Sequence, residues 1–220
     1  MDMIEIKDRI VLAALPGIPF EGWTFRALRE GAKAAGLDAE AAERAFPGGA
    51  VAAITHFIDL ADRRMATDMA AADTSTLRLH EKVRLAIRLR LERWAGDREA
   101  VRRAAAVLAL PTNAAASVRS LYRTADCLWQ VAGDRSMDIN FYTKRAQLAG
   151  IYASTLLVWL EDSSEGLTNT WAFLDRRLIE AVRLRKARDR VQHRLSRLPN
   201  PFSLARRPFA SSASRSLRMR

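Results

Sequence analysis

The sequence has little of what builds most disulfide, metal and catalytic sites. Its single cysteine, Cys127, excludes a disulfide within the chain, and three histidines are too few for a histidine-rich metal site. These histidines fall on separate predicted helices, and neither a Glu-x-x-His pair nor a glycine-rich phosphate loop is present. The sequence therefore indicates no catalytic residues, metal or cofactor, and it favours a protein that is not an enzyme. We expect Cys127 to be a core thiol.

Long apolar runs are also missing. The nearest candidate for a membrane span, residues 146–160, is 15 residues without a charge, and such a helix of about 22 Å is shorter than a hydrocarbon core of roughly 30 Å. The acidic N-terminus has the pattern of neither a secretory signal nor a transit peptide. We therefore expect no membrane-spanning helix, and we interpret residues 146–160 as a helix buried in protein.

Positive charge is plentiful but unevenly placed. The formal net charge is +11, and residues 176–220 alone carry 14 Lys or Arg against two acids. The preceding 175 residues are therefore almost neutral overall. This distribution indicates a nearly neutral globular part followed by a strongly basic C-terminal segment.

The sequence favours helices throughout, because Ala, Leu and Arg dominate. No alternation of apolar and polar residues lasts long enough to predict a strand. Two prolines and a glycine in Leu15–Pro19 predict an extended turn after the first helix. We predict an all-α fold in which three short N-terminal helices pack on a larger bundle. The predicted helices cover residues 4–15, 23–35, 38–46, 50–72, 76–95, 98–110, 114–132, 138–160 and 168–198.

The N-terminal helices have helix-turn-helix proportions, so a DNA-binding unit is one hypothesis. Residues 23–50, however, carry four basic and four acidic residues, and the would-be recognition helix, 38–46, has three acids and one arginine. A DNA-reading helix needs cations and base-edge donors there. The composition favours a subdomain that shares the shape without binding DNA specifically.

The helix at 138–160 presents a broad apolar face. Leu148, Tyr152, Thr155 and Trp159 are spaced by four, three and four residues, and Ile151 widens the face. Such a face is either ordinary core or the wall of a pocket for an apolar ligand, to which Trp129 of the preceding helix would contribute. In the pocket interpretation, Lys144 and Arg145 lie at the mouth and suit an anionic headgroup.

The last predicted helix is basic and amphipathic, a pattern typical of binding to an anionic membrane surface. A solvated helix docked on the bundle and a nucleic-acid-binding tail remain alternatives. The residues predicted to bind the membrane are Leu178, Val182, Arg183, Arg185, Lys186, Val191 and Leu195.

One run carries a specific resemblance. Residues 132–145, Ala-Gly-Asp-Arg-Ser-Met-Asp-Ile-Asn-Phe-Tyr-Thr-Lys-Arg, resemble the lipid-binding accessory proteins of ubiquinone biosynthesis, the ninth of the Coq series, in their alphaproteobacterial form. Further matching segments are 15–23, 46–49, 151–155, 159–163 and 173–177, so the resemblance covers most of residues 4–185.

The resemblance implies a tetracycline-repressor-like homodimer that binds isoprenoid quinone intermediates and phospholipids and docks on membranes through its last helix. It also implies a partner, the demethoxyubiquinone hydroxylase, to which the substrate is presented. The implied docking patch is Asp138, Asn140, Phe141, Tyr142 and Lys144, and Arg145 is the implied headgroup contact. The family's usual Trp-Tyr pair is Phe141-Tyr142 here, which removes an indole N–H from the contact.

These expectations divide the chain into a helix-turn-helix-like subdomain (1–49), a lipid-binding bundle (50–175), a membrane helix (176–198) and a disordered basic tail (199–220). We expect a cytoplasmic protein, peripheral on the inner face of the bacterial cytoplasmic membrane, or on the matrix side of the inner membrane in mitochondria. The alternative function is a tetracycline-repressor-type regulator with an apolar ligand pocket.

Overall fold

The computed structural model describes residues 2–38, 40–133 and 140–195, with the side chains of 140–142 and 185–195 excepted. Within these ranges the chain forms ten α-helices and no strand, so the predicted all-α class is confirmed. The helices are α1 (Met3–Ala14), α2 (Ile18–Glu21), α3 (Phe25–Ala34), α4 (Ala41–Ala45), α5 (Gly49–Ala71), α6 (Leu79–Arg93), α7 (Arg98–Leu108), α8 (Ala114–Val131), α9 (Asn140–Glu161) and α10 (Thr168–Leu195).

One predicted turn is a helix instead. Leu15 and Gly17 both have right-handed helical dihedral angles, and residues 18–21 form α2. Pro19 lies in the first turn of α2, where its fixed φ suits a helix and its missing N–H is not needed. The prediction of an extended turn is therefore wrong, and four short helices rather than three precede α5.

Helices α1 and α3 approach each other closely because α3 carries a glycine at the contact. A Cβ atom added to Gly31 would lie 2.7 Å from both the Cβ of Ala14 and the carbonyl oxygen of Ile10. Thr24 fixes the start of α3, since its hydroxyl accepts a hydrogen bond of 3.2 Å from the backbone N–H of Ala27. This part of the core leaves no room for a side chain at position 31.

A row of aromatic rings joins the short helices to the bundle. The ring of Trp23 lies 5.5 Å from that of Phe57 in α5, which lies 4.8 Å from that of Trp94 at the end of α6. The indole N–H of Trp23 donates a 3.0 Å hydrogen bond to the carbonyl of Ala100 in α7. The N-terminal helices are thus fixed to three helices of the bundle.

The start of α10 is held by one carboxylate. Asp162 accepts hydrogen bonds from the backbone N–H groups of Ser164 and Thr170, at 2.9 and 2.8 Å, and from both of their hydroxyls. These bonds supply acceptors to N–H groups that a helix N-terminus leaves unpaired.

The chain divides into two units, Met1–Ile179 and Glu180–Arg220, and the boundary falls within α10. No described helix combines the length and the apolar character needed to cross a bilayer. The domain limits predicted at residues 49, 175 and 198 stay predictions.

Candidate lipid-binding cavity

An apolar cavity of about 240 Å³ lies among α5, α6, α7, α8 and α9. Leu157, one of its lining residues, is 61% exposed, which marks an opening to the surface. The cavity is lined by Phe57, Ile58, Ala61, Arg90, Leu91, Trp94, Val101, Ala104, Ala105, Leu108, Ala109, Ser117, Ser120, Leu121, Thr124, Tyr152, Ala153, Leu156, Leu157 and Trp159.

Small side chains on three helices create this space. Ala61 of α5, Ala104 and Ala105 of α7, and Ala153 of α9 all line the cavity. A methyl group is too short to fill the gap between helices whose axes are 8–10 Å apart or more. The cavity therefore exists because alanines occupy positions where larger apolar residues would complete the core.

A buried polar network forms one wall. Arg90 donates from Nε to Oδ1 of Asp62 at 2.9 Å and from a terminal nitrogen to the Tyr152 hydroxyl at 2.5 Å. Thr124 donates its hydroxyl to the carboxylate of Asp62, at 3.0 and 3.1 Å to the two oxygens. All four side chains are buried, so the charges of Arg90 and Asp62 neutralise each other inside the bundle.

The network sets the protonation of its members. Burial alone would lower the pKa of Arg90, but the oxygens of Tyr152 and Asp62 outweigh it and raise the pKa. Burial raises the pKa of the Tyr152 hydroxyl. Burial, together with the nearby Asp62 charge, raises the pKa of the Cys127 thiol to about 11. At neutral pH Tyr152 and Cys127 are therefore neutral, and Arg90 is a cation.

The five tryptophans differ in how their indole N–H groups are used. Those of Trp23, Trp129 and Trp171 donate to backbone carbonyls at 3.0, 3.2 and 3.1 Å. Those of Trp94 and Trp159 are buried and have no acceptor within the described part of the chain. The two tryptophans without an acceptor are the two that line the cavity.

Tyr152 and Trp159 are the predicted lipid-binding residues that line the cavity. Leu148, Ile151 and Thr155 are buried but are not among its lining residues, and the Thr155 hydroxyl donates to the carbonyl of Ile151 at 2.7 Å. The indole N–H of the remaining predicted residue, Trp129, donates to the carbonyl of Lys144, so that ring joins α8 to the start of α9.

Arg145 is buried rather than free at a cavity mouth. Its side chain is 5% exposed and its Nε donates to Oδ1 of Asp126 in α8 at 2.5 Å. Arg145 thus helps to fix the beginning of α9 against α8. An anionic headgroup at Arg145 would compete with the Asp126 carboxylate.

The predicted docking patch lies mostly outside what the structure describes. Asp138 falls outside the described residues, as do the side chains of Asn140, Phe141 and Tyr142, whose backbone forms the first turn of α9. Lys144 is described and half-buried.

The predicted membrane-binding residues have different surroundings. Leu178 is buried, whereas Val182 and Arg183 are exposed. The side chains of Arg185, Lys186, Val191 and Leu195 lie outside the described residues.

Sequence reasoning missed the walls supplied by α5, α6 and α7, including Phe57, Arg90 and Trp94. One signal was available, because Asp62 and Arg90 are charged residues at core-facing positions of otherwise apolar helix faces. A buried charge needs a partner of opposite charge. Asp62 and Arg90 lie on two consecutive helices and have opposite charges, so they could have been predicted to pair. Across the described residues, no group of three His, Cys, Asp or Glu side chains is placed to hold a metal ion.

Comparison with known proteins gives a consistent result. Residues 114–185 match the COQ9 family model. Over 188 residues the chain is 36% identical to "Ubiquinone biosynthesis protein COQ9, mitochondrial" of Rattus norvegicus and 35% identical to the Homo sapiens protein of that name. These alignments cover 82% of this chain and 60% and 58% of the two relatives, so the chain spans about 60% of their length.

The fold resembles that of a solved protein. The crystal structure of the TetR transcriptional regulator from Nitrosomonas europaea ATCC 19718 matches with a TM-score of 0.65 and 22% identity, over 81% of this chain and 98% of that one. This likeness confirms the predicted tetracycline-repressor-like fold and concerns the fold alone. Because four-fifths of the chain align with COQ9 proteins at about 35% identity, and residues 114–185 match their family model, the chain is a homologue of the COQ9 proteins, as its sequence motifs indicated.

Proposed function

We propose that this protein is a non-enzymatic accessory protein of ubiquinone biosynthesis, which binds an isoprenoid quinone intermediate in its cavity and presents it to the demethoxyubiquinone hydroxylase. The observation that carries the proposal is the apolar cavity among α5–α9 in a chain homologous to proteins named for ubiquinone biosynthesis. Most of its lining side chains are aliphatic or aromatic, as expected of a site for an apolar ligand.

The size of the cavity fits part of a lipid. Its volume of about 240 Å³ is below the roughly 300–1,000 Å³ typical of pockets that enclose a drug-sized ligand. A long isoprenoid or acyl chain therefore extends beyond the cavity, past the exposed Leu157. A site that encloses one end of a lipid and leaves the other outside suits a carrier that takes its ligand from a bilayer.

The proposed partner surface is the start of α9, the helix that lines the cavity with Tyr152 and Trp159. The proposed patch is Asp138, Asn140, Phe141, Tyr142 and Lys144, and large aromatic residues ringed by polar ones are common interface anchors. Since Arg145 is bonded to Asp126 in α8, contact at the patch acts on a helix start that is fixed to the bundle. Arg145 remains the proposed contact for a phospholipid headgroup, whose phosphate would have to displace the Asp126 carboxylate from it.

Membrane attachment is assigned to the basic part of α10. Val182 and Leu184 are exposed apolar residues there, next to Arg183. The charged residues would be attracted to anionic lipids while apolar residues insert. The proposed location is peripheral, on the inner face of the bacterial cytoplasmic membrane or the matrix side of the mitochondrial inner membrane, and the relatives are named as mitochondrial.

We also propose a homodimer formed through α8 and α9. Val118 of α8 is 66% exposed and Leu157 of α9 is 61% exposed, and these two helices pack against each other. Exposed apolar side chains on neighbouring helices favour burial against a second protein surface. Because Leu157 also lines the cavity, a second copy on this face would border the cavity opening.

The alternative, a DNA-binding regulator, is disfavoured by the charges of the N-terminal helices. Each of the four cations between residues 23 and 50 is paired with an acid: Arg26 with Glu21, Arg29 with Glu43, Lys33 with Glu30, and Arg44 with Asp38. Because acids balance these cations, the N-terminal helices offer little net positive charge to a phosphate backbone. We propose that the protein binds no nucleic acid specifically.

The test is deletion of the gene in its own host, with measurement of the quinone pool. We expect demethoxyubiquinone to accumulate, and wild type to restore ubiquinone. Tyr142→Lys, if stably folded, should fail to restore it, whereas the matched control Glu5→Lys, on the exposed side of α1, should succeed. Normal ubiquinone in the deletion strain would refute the assignment to this pathway.

A further inference from the structure

The start of α6 carries cations that the fold leaves without a carboxylate partner. Arg78 and Lys82 make no ion pair with an acid in the described part of the chain. The acid between them, Glu81, accepts a 2.7 Å hydrogen bond from the backbone N–H of Arg78 and so caps the helix. The arginines further along α6 are all paired with acids: Arg84, Arg88, Arg90 and Arg93.

Helix α10 runs antiparallel to α6 and packs beside it. The guanidinium of Arg84 donates to the Asp175 carboxylate at 2.8 Å, and that of Arg88 lies 4.9 Å from the ring centre of Trp171. A step of four residues up α6 is therefore a step of four residues down α10. On this register the start of α6 lies level with Ile179 of α10.

Exposed apolar side chains accompany the unpaired cations on these two helices. Leu79 is 37% exposed and Ile179 is 49% exposed, whereas Val83 and Leu178 are buried and mark the sides that face the core. Arg176 of α10 is also exposed, and no acid among the described residues pairs with it. We name this set the α6 surface: Arg78, Leu79, Lys82, Arg176 and Ile179.

The composition of the α6 surface fits an anionic lipid bilayer. Cations are attracted to anionic headgroups while aliphatic side chains insert among them, so a surface that offers both binds more strongly than either alone. Single-stranded nucleic acid is bound by cations together with aromatic rings on which bases stack, and the α6 surface contains no aromatic residue. The chain also continues from Ile179 directly into the part of α10 that is proposed to contact the membrane.

We propose that the α6 surface is a second membrane contact, which lies on the folded unit Met1–Ile179 and binds anionic phospholipid headgroups. This inference rests on the proposed membrane attachment through α10 and adds a contact to it. A second contact would orient the bundle on the bilayer. Since Arg90 lines the cavity, eight residues along α6 from Lys82, the contact would hold the cavity about 12 Å along the helix from the headgroups.

The first measurement is co-sedimentation of the full-length protein with vesicles of phosphatidylglycerol and phosphatidylcholine at low salt. Arg78→Gln with Lys82→Gln removes two cations, and each cation contributes about a factor of five to partitioning. We therefore expect binding to weaken about thirtyfold. The matched control, Arg26→Gln with Lys33→Gln, removes the same charge from exposed positions of α3 and should bind as the wild type does.

The second measurement reports insertion at the site itself. The half-buried Cys127 thiol, with its pKa raised to about 11, reacts slowly at neutral pH, so an introduced exposed cysteine can be labelled selectively. An environment-sensitive dye on Leu79→Cys should shift to shorter emission wavelength when phosphatidylglycerol vesicles are added. The same dye on Phe20→Cys, at an 86% exposed position of α2, should not shift.

The outcomes separate the two membrane proposals, with Val182→Glu and Leu184→Glu together testing the attachment through α10. If that variant loses binding, while Arg78→Gln with Lys82→Gln binds as tightly as the wild type and the dye at position 79 does not shift, the α6 contact is wrong and the α10 attachment stands. If the wild type binds no vesicles, both proposals fail. Binding to nucleic acid instead of vesicles, lost in the Arg78 and Lys82 variant, would overturn the assignment to a lipid surface.

Discussion

Helices α1–α4 and helices α5–α9 both contain many alanines but use them in opposite ways. In the first region Ala14 and Ala32 are buried, and Gly31 lets α1 and α3 come so close that no added Cβ fits. In the second region Ala61 and Ala104 are also buried, yet they face a cavity of about 240 Å³. Small residues therefore close one part of the core and open another.

Large aromatic neighbours explain why alanines leave a cavity in the second region and not in the first. Phe57, Trp94 and Trp159 line the cavity together with the alanines, and bulky rings at a helix contact increase the separation of the helix axes. Once rings hold the helices apart, an alanine between them leaves a gap. No comparable ring separates α1 from α3 at Gly31, so the backbones meet there.

The two regions also differ in how the indole N–H groups of their tryptophans are paired. Trp23, which joins the short helices to α7, has its indole N–H bonded to Ala100. Trp94 and Trp159 leave two buried donors unpaired, at a cost of about 1–3 kcal/mol each. Stability is thus reduced in the part of the bundle where a ligand is proposed to bind.

The largest effect is expected at the buried pair on the cavity wall. Arg90→Met leaves Asp62 as a buried charge without its main partner, which should cost about 3–5 kcal/mol in the free energy of unfolding. Urea denaturation followed by circular dichroism measures this cost.

The matched control for Arg90 is Arg93→Met, one turn along α6, because the Arg93 pair with Asp68 is partly exposed. Breaking an exposed pair should cost about 0–1 kcal/mol. Equal losses for the two variants would mean that Arg90 and Asp62 are not desolvated in solution.

The next largest loss of stability is expected from adding a larger side chain to the tightly packed region, compared with the same change beside the cavity. Ala42→Leu adds three carbon atoms at a fully buried position of the first region, and overpacking should cost about 1–3 kcal/mol. Ala104→Leu adds the same atoms beside the cavity, where there is space, and should leave the unfolding free energy nearly unchanged.

Ala104→Leu should also reduce the lipid that co-purifies with the protein, as measured by mass spectrometry of an organic extract. If Ala104→Leu destabilises the protein as much as Ala42→Leu does, the cavity is closed in solution. If it is stable and retains all of the lipid, the ligand binds elsewhere.

Much of the fold could be predicted because helix boundaries are encoded locally. The predicted 114–132 and the observed Ala114–Val131 differ by one residue, since Pro111 and Gly133 punctuate that helix. The helix at 18–21 was missed because Pro19 was interpreted as a breaker, whereas a proline in the first turn of a helix is favourable.

The cavity was only partly predictable because its walls come from five helices. Periodicity placed Tyr152 and Trp159 on one face of α9, but Leu148 and Thr155 share that face and pack elsewhere. Which alanines of α5 and α7 would face that helix depends on packing between helices, which no spacing within one helix records. The Arg90–Asp62 pair likewise joins residues 28 positions apart.

The smallest effect is expected where α1 meets α5, at Asp8. Asp8 accepts hydrogen bonds from His56 at 2.7 Å and from Arg63 at 2.6 Å. Burial raises the pKa of Asp8, but the bonds from Arg63 and His56 outweigh it, so the net pKa is lowered. A carboxylate whose pKa is lower in the folded than in the unfolded state stabilises the fold above its unfolded pKa of about 3.9.

We therefore expect Asp8→Asn to cost about 0.5–1 kcal/mol at pH 7, as for other partly exposed pairs. That difference from wild type should disappear as the pH falls through the lowered folded pKa of Asp8.

His56 adds a second feature to the pH dependence of stability, because burial lowers its pKa while Asp8 opposes that shift. Without Asp8 the His56 pKa falls further, so the variant should lose extra stability between about pH 6.5 and 4, where unfolded histidine is protonated. Urea denaturation at a series of pH values measures both features, with the exposed Asp38 and Arg44 pair as the control through Asp38→Asn. A difference between Asp8→Asn and wild type that persists unchanged at the lowest pH would show that Asp8 acts by packing rather than by its charge.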